Sequence, residues 1–138
     1  MPDRRYMLDT NIVSAIIRQP RSDLANRIAD LPRHAFGISL VVAAELRYGA
    51  FCKGSPRLTR QVEAVLEGID LLPLEEPADW HYGDIRSELS RQGEPIGHTD
   101  LLIPAHARAL DLTLVSENMR VFSRVPALGV EDWLSEKR

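Results

Sequence analysis

The sequence predicts an α/β domain: a central, mostly parallel β-sheet flanked by α-helices. Short apolar runs at 5–8, 35–40, 69–74 and 112–115 alternate with longer stretches whose apolar residues recur at helical spacing. Each run reaches the next through a helical segment rather than a tight turn, the pattern of right-handed crossovers in a parallel sheet. With 138 residues, 44% of them hydrophobic, the chain is one domain, 1–138, large enough to bury a core without disulfide or metal staples.

The first strand, 5–8, ends in "YMLDTN", and a helix over 11–17 stops before Gln19 and Pro20. Ser22 caps a second helix, with Leu24, Ala25 and Ile28 on one face and an end near Leu31 and Pro32. "AFGISL" is the second strand. "VVAAELRYGAF" is helical, with Val41, Ala44 and Tyr48 sharing a face and Glu45 on it or beside it, until Gly54, Ser55 and Pro56 break it. The helix over 58–67 turns Val62, Val65 and Leu66 inward, and 69–74 is the third strand. Pro77 opens a long helix at its first turn, which carries Trp80, Ile85 and Leu89 and ends at Gly93. "EPIGH" is a turn, 100–110 a helix, 112–115 the fourth strand and 129–133 a short fifth.

Composition removes several classes. Cys52 stands alone, so no intrachain disulfide is expected; there is no basic–apolar leader and no run of about 20 apolar residues. The expectation is a soluble cytoplasmic protein with no membrane span. A net charge of −3 does not announce a nucleic-acid partner, but the cations are fifteen arginines against Lys53 and Lys137. Arginine forks phosphate oxygens where lysine acts as a point charge. The same excess also follows from genomic base composition, and arginine content alone does not separate the two.

Parallel sheets bind ligands beyond the carboxyl ends of their strands. Asp9 ends the first strand. Ser39 and Glu45 follow the second, Glu45 about one turn into its helix. Asp100 begins the helix that leads to the fourth strand, and Ser116, Glu117 and Asn118 follow that strand. Singly, each has an ordinary explanation: Asp9 as a helix cap, Asp100 as a partner of the helix dipole, Glu117 as an exposed turn residue. Together they bring several anions to one rim, where like charges oppose one another's ionisation and require protons or a counterion. Oxygen donors with no clustered histidine or cysteine suit a hard cation, Mg²⁺ or Mn²⁺, rather than zinc. His98 and His106 are too far apart to form a metal pair on one helical face, and His106 is expected to pack or cap. Thr10 and Asn11 are expected to orient Asp9 and to satisfy the following helix's free N–H groups.

On "MLDTNIVSAII", "ISLVVAAELRYGA", "RSELSRQGEPIGHTDLLIPAHARALDLTLVSEN" and "FSRVPALGVEDW", four segments in order along nearly the whole chain, the sequence resembles the PIN-domain ribonuclease toxins of the VapC type. The resemblance implies a PIN fold, a divalent-metal-dependent endoribonuclease, a homodimer, and neutralisation by a co-expressed VapB-type antitoxin. It implies Asp9, Glu45 and Asp100 as the acidic metal-binding set, with Asn118 as a further site residue. The chain departs from the family's pattern at Ser116 and Glu117, at His98 and Thr99, and at Pro104, which stands where alanine is usual.

The expected reaction is hydrolysis of an RNA phosphodiester, with one or two Mg²⁺ or Mn²⁺ ions activating water and offsetting charge on the phosphate. Arg18, Arg21, Arg47, Arg57 and Arg86 are candidates for holding the flanking phosphates. Two readings compete. A receiver-like phosphoacceptor domain would need an acidic pair beside a strand-end acceptor and a lysine after a late strand, and neither is found. A catalytically inactive PIN-fold binding module is disfavoured by the joint presence of Asp9, Glu45 and Asp100. Three finer expectations follow. The helices bearing Leu24, Ile28, Val62 and Val65 hold surplus apolar surface for a dimer. Asn118 lies nearer the metal than Glu117, because adjacent strand side chains diverge. Pro104, beyond the first turn of its helix, distorts it beside Asp100, leaving a carbonyl for Thr99 or His98 to satisfy; Pro104→Ala is then expected to raise stability and tighten Mn²⁺ binding.

Overall fold

The computed structural model describes residues 4–93 and 100–134. The expected turn at 94–98 lies outside them, as do His98 and Thr99. Five strands, β1 (Tyr6–Leu8), β2 (Phe36–Ser39), β3 (Leu71–Leu72), β4 (Thr113–Val115) and β5 (Val130–Glu131), form one parallel sheet in the order β3-β2-β1-β4-β5. Helices α1 (Thr10–Arg18) and α2 (Asp23–Ala29) join β1 to β2. Helices α3 (Leu40–Lys53) and α4 (Pro56–Glu67) join β2 to β3, and α5 (Ala78–Arg91) and α6 (Leu102–Ala109) join β3 to β4; α7 (Met119–Phe122) precedes β5. The chain therefore winds outward from β1 through β2 to β3, then crosses back to lay β4 on the other side of β1. That reversal of winding direction leaves a crevice at the carboxyl ends of β1 and β4.

Local chemistry sets the boundaries. Ser22 Oγ accepts from Ala25 N, Ser39 Oγ from Val41 N and Ser55 Oγ from Leu58 N, each at 3.1 Å, capping α2, α3 and α4. Gly54, at φ 60°, ends α3 in the left-handed conformation that glycine adopts without strain. Met7, Leu8, Ile38, Leu114 and Val115 have no exposed surface, so the middle of the sheet is the centre of the core. At Gly37 a Cβ would stand 3.1 Å from the Asp70 carbonyl and 3.2 Å from both the Arg4 guanidinium and Leu72. A side chain there would push β2 away from β3.

Several expectations are corrected. The inward face of α3 is Val42, Ala43, Leu46 and Ala50, not Val41, Ala44 and Tyr48; Tyr48 is 70% exposed. Trp80 points outward from α5, while Ile85 and Leu89 are buried as expected. Leu24, Ile28 and Val62 are buried in the chain's own core, so they are not surplus surface for a dimer. A one-turn 3₁₀ helix at Arg33–Ala35 and the short α7 were not expected. The helix expected from residue 100 begins at Leu102, with Leu101 as its cap, and its first backbone bond runs from Ala105 N to Leu101 O at 3.1 Å. Pro104 thus sits in the first turn, where an N–H has no helical partner to lose. The distortion expected from it, and the gain expected from Pro104→Ala, have no cause in this arrangement.

Asp70, just before β3, ties the amino ends of three strands. It accepts from Arg4 at 3.0 Å, meets His34 Nδ1 at 2.8 Å and has Arg33 at 3.4 Å. The hydrogen bond with His34, then that with Arg4, holds its carboxyl down at about 2. A depressed carboxylate stabilises the fold above its unfolded value of 3.8 and loses that contribution as the pH falls towards about 2. The shift amounts to about 2 kcal/mol, discounted to about 1 kcal/mol for solvent screening. Asp70→Asn is expected to lower stability by about 1 kcal/mol at neutral pH. The gap to the parent should close on acidification through that window, as read by urea titrations at several pH values.

Candidate active site

Asp9 follows β1 with only 8% of its surface exposed, and its backbone N–H still reaches across to Val115 O at 2.9 Å. Its Oδ1 accepts from Thr10 N at 2.8 Å, and its Oδ2 accepts from Ser116 Oγ at 2.7 Å. Its main-chain carbonyl accepts the first bonds of α1, from Ile12 and Val13. The carboxylate is therefore fixed on both oxygens and on both sides of the crevice. Asn118 N–H donates to Ser116 Oγ at 3.0 Å, so that hydroxyl is itself oriented.

Glu45 comes from α3, where it is half-buried, and its Oε1 accepts from Thr10 Oγ1. Asp100 precedes α6 and accepts from Leu102 N through Oδ1 at 2.8 Å, which ties it to the helix's first turn. Burial raises the Asp9 carboxyl above the ordinary range, opposed by the Ser116 and Thr10 bonds and assisted by the charge of Asp100. Burial also raises Glu45, opposed by Thr10 and assisted by Asp100 and Asp9. The three carboxylates from β1, α3 and the entrance to α6 thus share one electrostatic environment.

The structure brings together Asp9, Glu45 and Asp100, the three acidic residues singled out from the sequence. Among the described residues no three His, Cys, Asp or Glu side chains stand together so as to hold a metal ion; Glu45 Oε1 is bonded to Thr10 Oγ1. The donor set nonetheless fits a hard divalent cation. It is all oxygen, it combines carboxylates with two hydroxyls, and no cationic side chain among the described residues is paired with its anions. Of the strand-end triplet, Ser116 is the buried member that touches Asp9, Glu117 is exposed, and Asn118 enters through its main chain. Thr10 orients Asp9 through its N–H, as expected, but its hydroxyl serves Glu45, while Asn11 is exposed.

Ser116 was named at the end of the fourth strand but given no role. Its signal was register: Leu8 aligns with Val115 across β1 and β4, so Asp9 and Ser116 leave the sheet side by side. On the activity expected from the sequence, Ser116→Ala should lower RNA cleavage by about 10–100-fold, the usual effect of removing a partner that orients a ligand. Ser116→Thr, which keeps the hydroxyl, should retain most of the rate in the same RNA assay.

The arginine candidates divide. Arg47 is held by Glu63 through two bonds of 2.8 and 2.9 Å, and Arg86 bonds Tyr82 Oη at 2.9 Å. Arg18 lines a groove of about 470 Å³ that begins at Thr10 and Glu45, runs over Ile17, Leu46 and Leu58, and ends at Arg18 and Lys53.

Residues 6–128 match the model of the PIN domain family. The chain is 39% identical over 131 residues to Ribonuclease VapC2 of Haemophilus influenzae, covering 94% of this chain and 98% of that protein. It is equally identical, over 130 residues and the same shares, to the tRNA(fMet)-specific endonuclease VapC of Shigella flexneri. Among solved structures it resembles that of VapBC2 from Rickettsia felis bound to a DNA fragment from its promoter, with a TM-score of 0.83, 33% identity, and 93% of this chain and 98% of the other covered. The chain belongs to the PIN-domain family, within its VapC group.

Proposed function

We propose that this chain cuts RNA by hydrolysis with a Mg²⁺ or Mn²⁺ ion held by Asp9, Glu45 and Asp100. The chain is the endoribonuclease toxin of a toxin–antitoxin pair, and its partner is a cognate VapB-type antitoxin. What supports the metal reading is three carboxylates, Asp9 buried and Glu45 and Asp100 partly so, that oppose one another's ionisation with no cationic partner among the described residues. A cation bound there supplies an activated water and offsets charge gathering on the phosphate. Asp9 is held for this task by Ser116 and Thr10, Glu45 by Thr10, and Asp100 by the first turn of α6. Asn118 steadies Ser116 through its N–H. Arg18 and Lys53, at the far end of the groove, would hold backbone phosphates away from the cut. A tRNA is the first substrate to try, given the specificity of the Shigella relative.

Cleavage should stop in EDTA and return on adding Mn²⁺ or Mg²⁺. An EDTA-dialysed protein that cuts at the untreated rate would sink the metal reading. A homodimer belongs to the same proposal, but through a different surface from the one expected. On the outer side of α3, Leu40, Tyr48 and Phe51 are 48, 70 and 67% exposed. No helix among the described residues is long and apolar enough to cross a membrane.

A further inference from the structure

One buried polar pair is not used by the chemistry above. His106 of α6 is 1% exposed, and its Nδ1 lies 2.8 Å from Oγ of Ser39, which is fully buried at the end of β2. Ser39 Oγ also accepts the Val41 N–H that begins α3. A Pro73 carbonyl that accepts from the ring favours the proton on Nε2, and Nδ1 then accepts from the Ser39 hydroxyl. Nε2 is buried without a close hydrogen-bond partner; the Pro73 carbonyl is the acceptor that acts on the ring. Burial holds the imidazole below its ordinary pKa, which keeps it neutral.

The position of this pair is informative. Glu45 lies six residues past Ser39, and His106 lies six residues past Asp100. Along α3 that spacing is roughly 9 Å. It is the one side-chain hydrogen bond between α6 and the β2–α3 junction among the described residues. An apolar pair of the same volume would fill the space with no buried polar group to satisfy. What the polar pair adds is direction: the bond forms at only one setting of α6 against α3.

We infer that the Ser39–His106 hydrogen bond is a positioning device that sets Glu45 against Asp100 and so tunes the cation site. The inference rests on the proposed metal reading. It is tested by calorimetric titration of the purified full chain with Mn²⁺, alongside melting curves. His106→Leu and Ser39→Ala should each weaken Mn²⁺ binding about 10-fold. His106→Asn, whose Oδ1 replaces Nδ1 as acceptor, should bind Mn²⁺ within about threefold of the parent although its cavity lowers the melting temperature. Unchanged Mn²⁺ affinity in His106→Leu and Ser39→Ala, with only the melting temperature altered, would show a purely structural role and overturn the inference. If His106→Leu does not fold, His106→Phe takes its place, because Ser39→Ala also removes the cap of α3. A parent chain that binds no Mn²⁺ would remove the metal reading and this inference together. Mn²⁺ binding lost in Asp9→Asn but unchanged in Ser39→Ala would remove the inference alone.

Discussion

Asp9→Asn should reduce RNA cleavage by more than about 100-fold while the chain stays folded. A partner that merely orients a ligand contributes about 10–100-fold, and a carboxylate that holds the cation directly lies beyond that range. Asparagine keeps the shape. Its carbonyl can still accept from Thr10 N, and its amide can donate to Ser116 Oγ, so both ties at the head of α1 survive. Only the charge goes. Burial raises this carboxyl, meaning that its ionised form opposes folding at neutral pH, so stability should be unchanged or slightly higher. Asp100→Asn should behave alike, because Oδ1 remains for Leu102 N. The measurements are single-turnover cleavage at saturating Mn²⁺ and circular dichroism. A folded Asp9→Asn protein that cuts at the parent rate would falsify the assignment.

Leu114→Ala should produce the largest loss of stability, about 2–5 kcal/mol. Leu114 has no exposed surface and lies in β4, between β1 and β5. Strands on both sides are held by the ladder and cannot close the gap. Against a total stability of about 5–15 kcal/mol, that loss moves the melting temperature by roughly 10 °C. Val115 and Ser116 follow directly, so a loosened β4 also frees the hydroxyl that orients Asp9. Urea unfolding at neutral pH reads the effect, and a cost below about 1 kcal/mol would show that β4 relaxes more readily than its burial implies.

The strands were legible because each is a short apolar run between helical stretches, and the parallel topology follows from their connections. The topology also explains why Asp9, Glu45 and Asp100 could be found: residues at strand exits and helix entrances meet on one edge. The facing of α3 was not legible. Val41, Val42, Ala43, Ala44, Leu46, Tyr48, Ala50 and Phe51 make that helix apolar on nearly every side, so periodicity carries little phase information. The start of α6 was misplaced because Asp100 suits a first helical turn, whereas it caps from outside and leaves Pro104 unstrained. Ser116 was placed on the rim but not paired with Asp9, because that pairing shows only once β4 is aligned with β1. The apolar residues of α2 and α4 seemed in excess because a sequence does not show how many helices share one side of a sheet.

The bond between Ser116 and Asp9 joins residues 107 apart in sequence. At a synthesis rate of about 5–20 residues per second, Ser116 is made roughly 5–20 s after Asp9. In that interval β1 can gain β2 on one side once residues 36–39 are made, but β4 is not yet there to cover the other. No early fragment of the chain holds the three carboxylates in place, because Asp100 and Ser116 arrive together near the end. Until residue 100 is made the site lacks its third carboxylate, and until residue 116 is made it lacks the hydroxyl that holds the first.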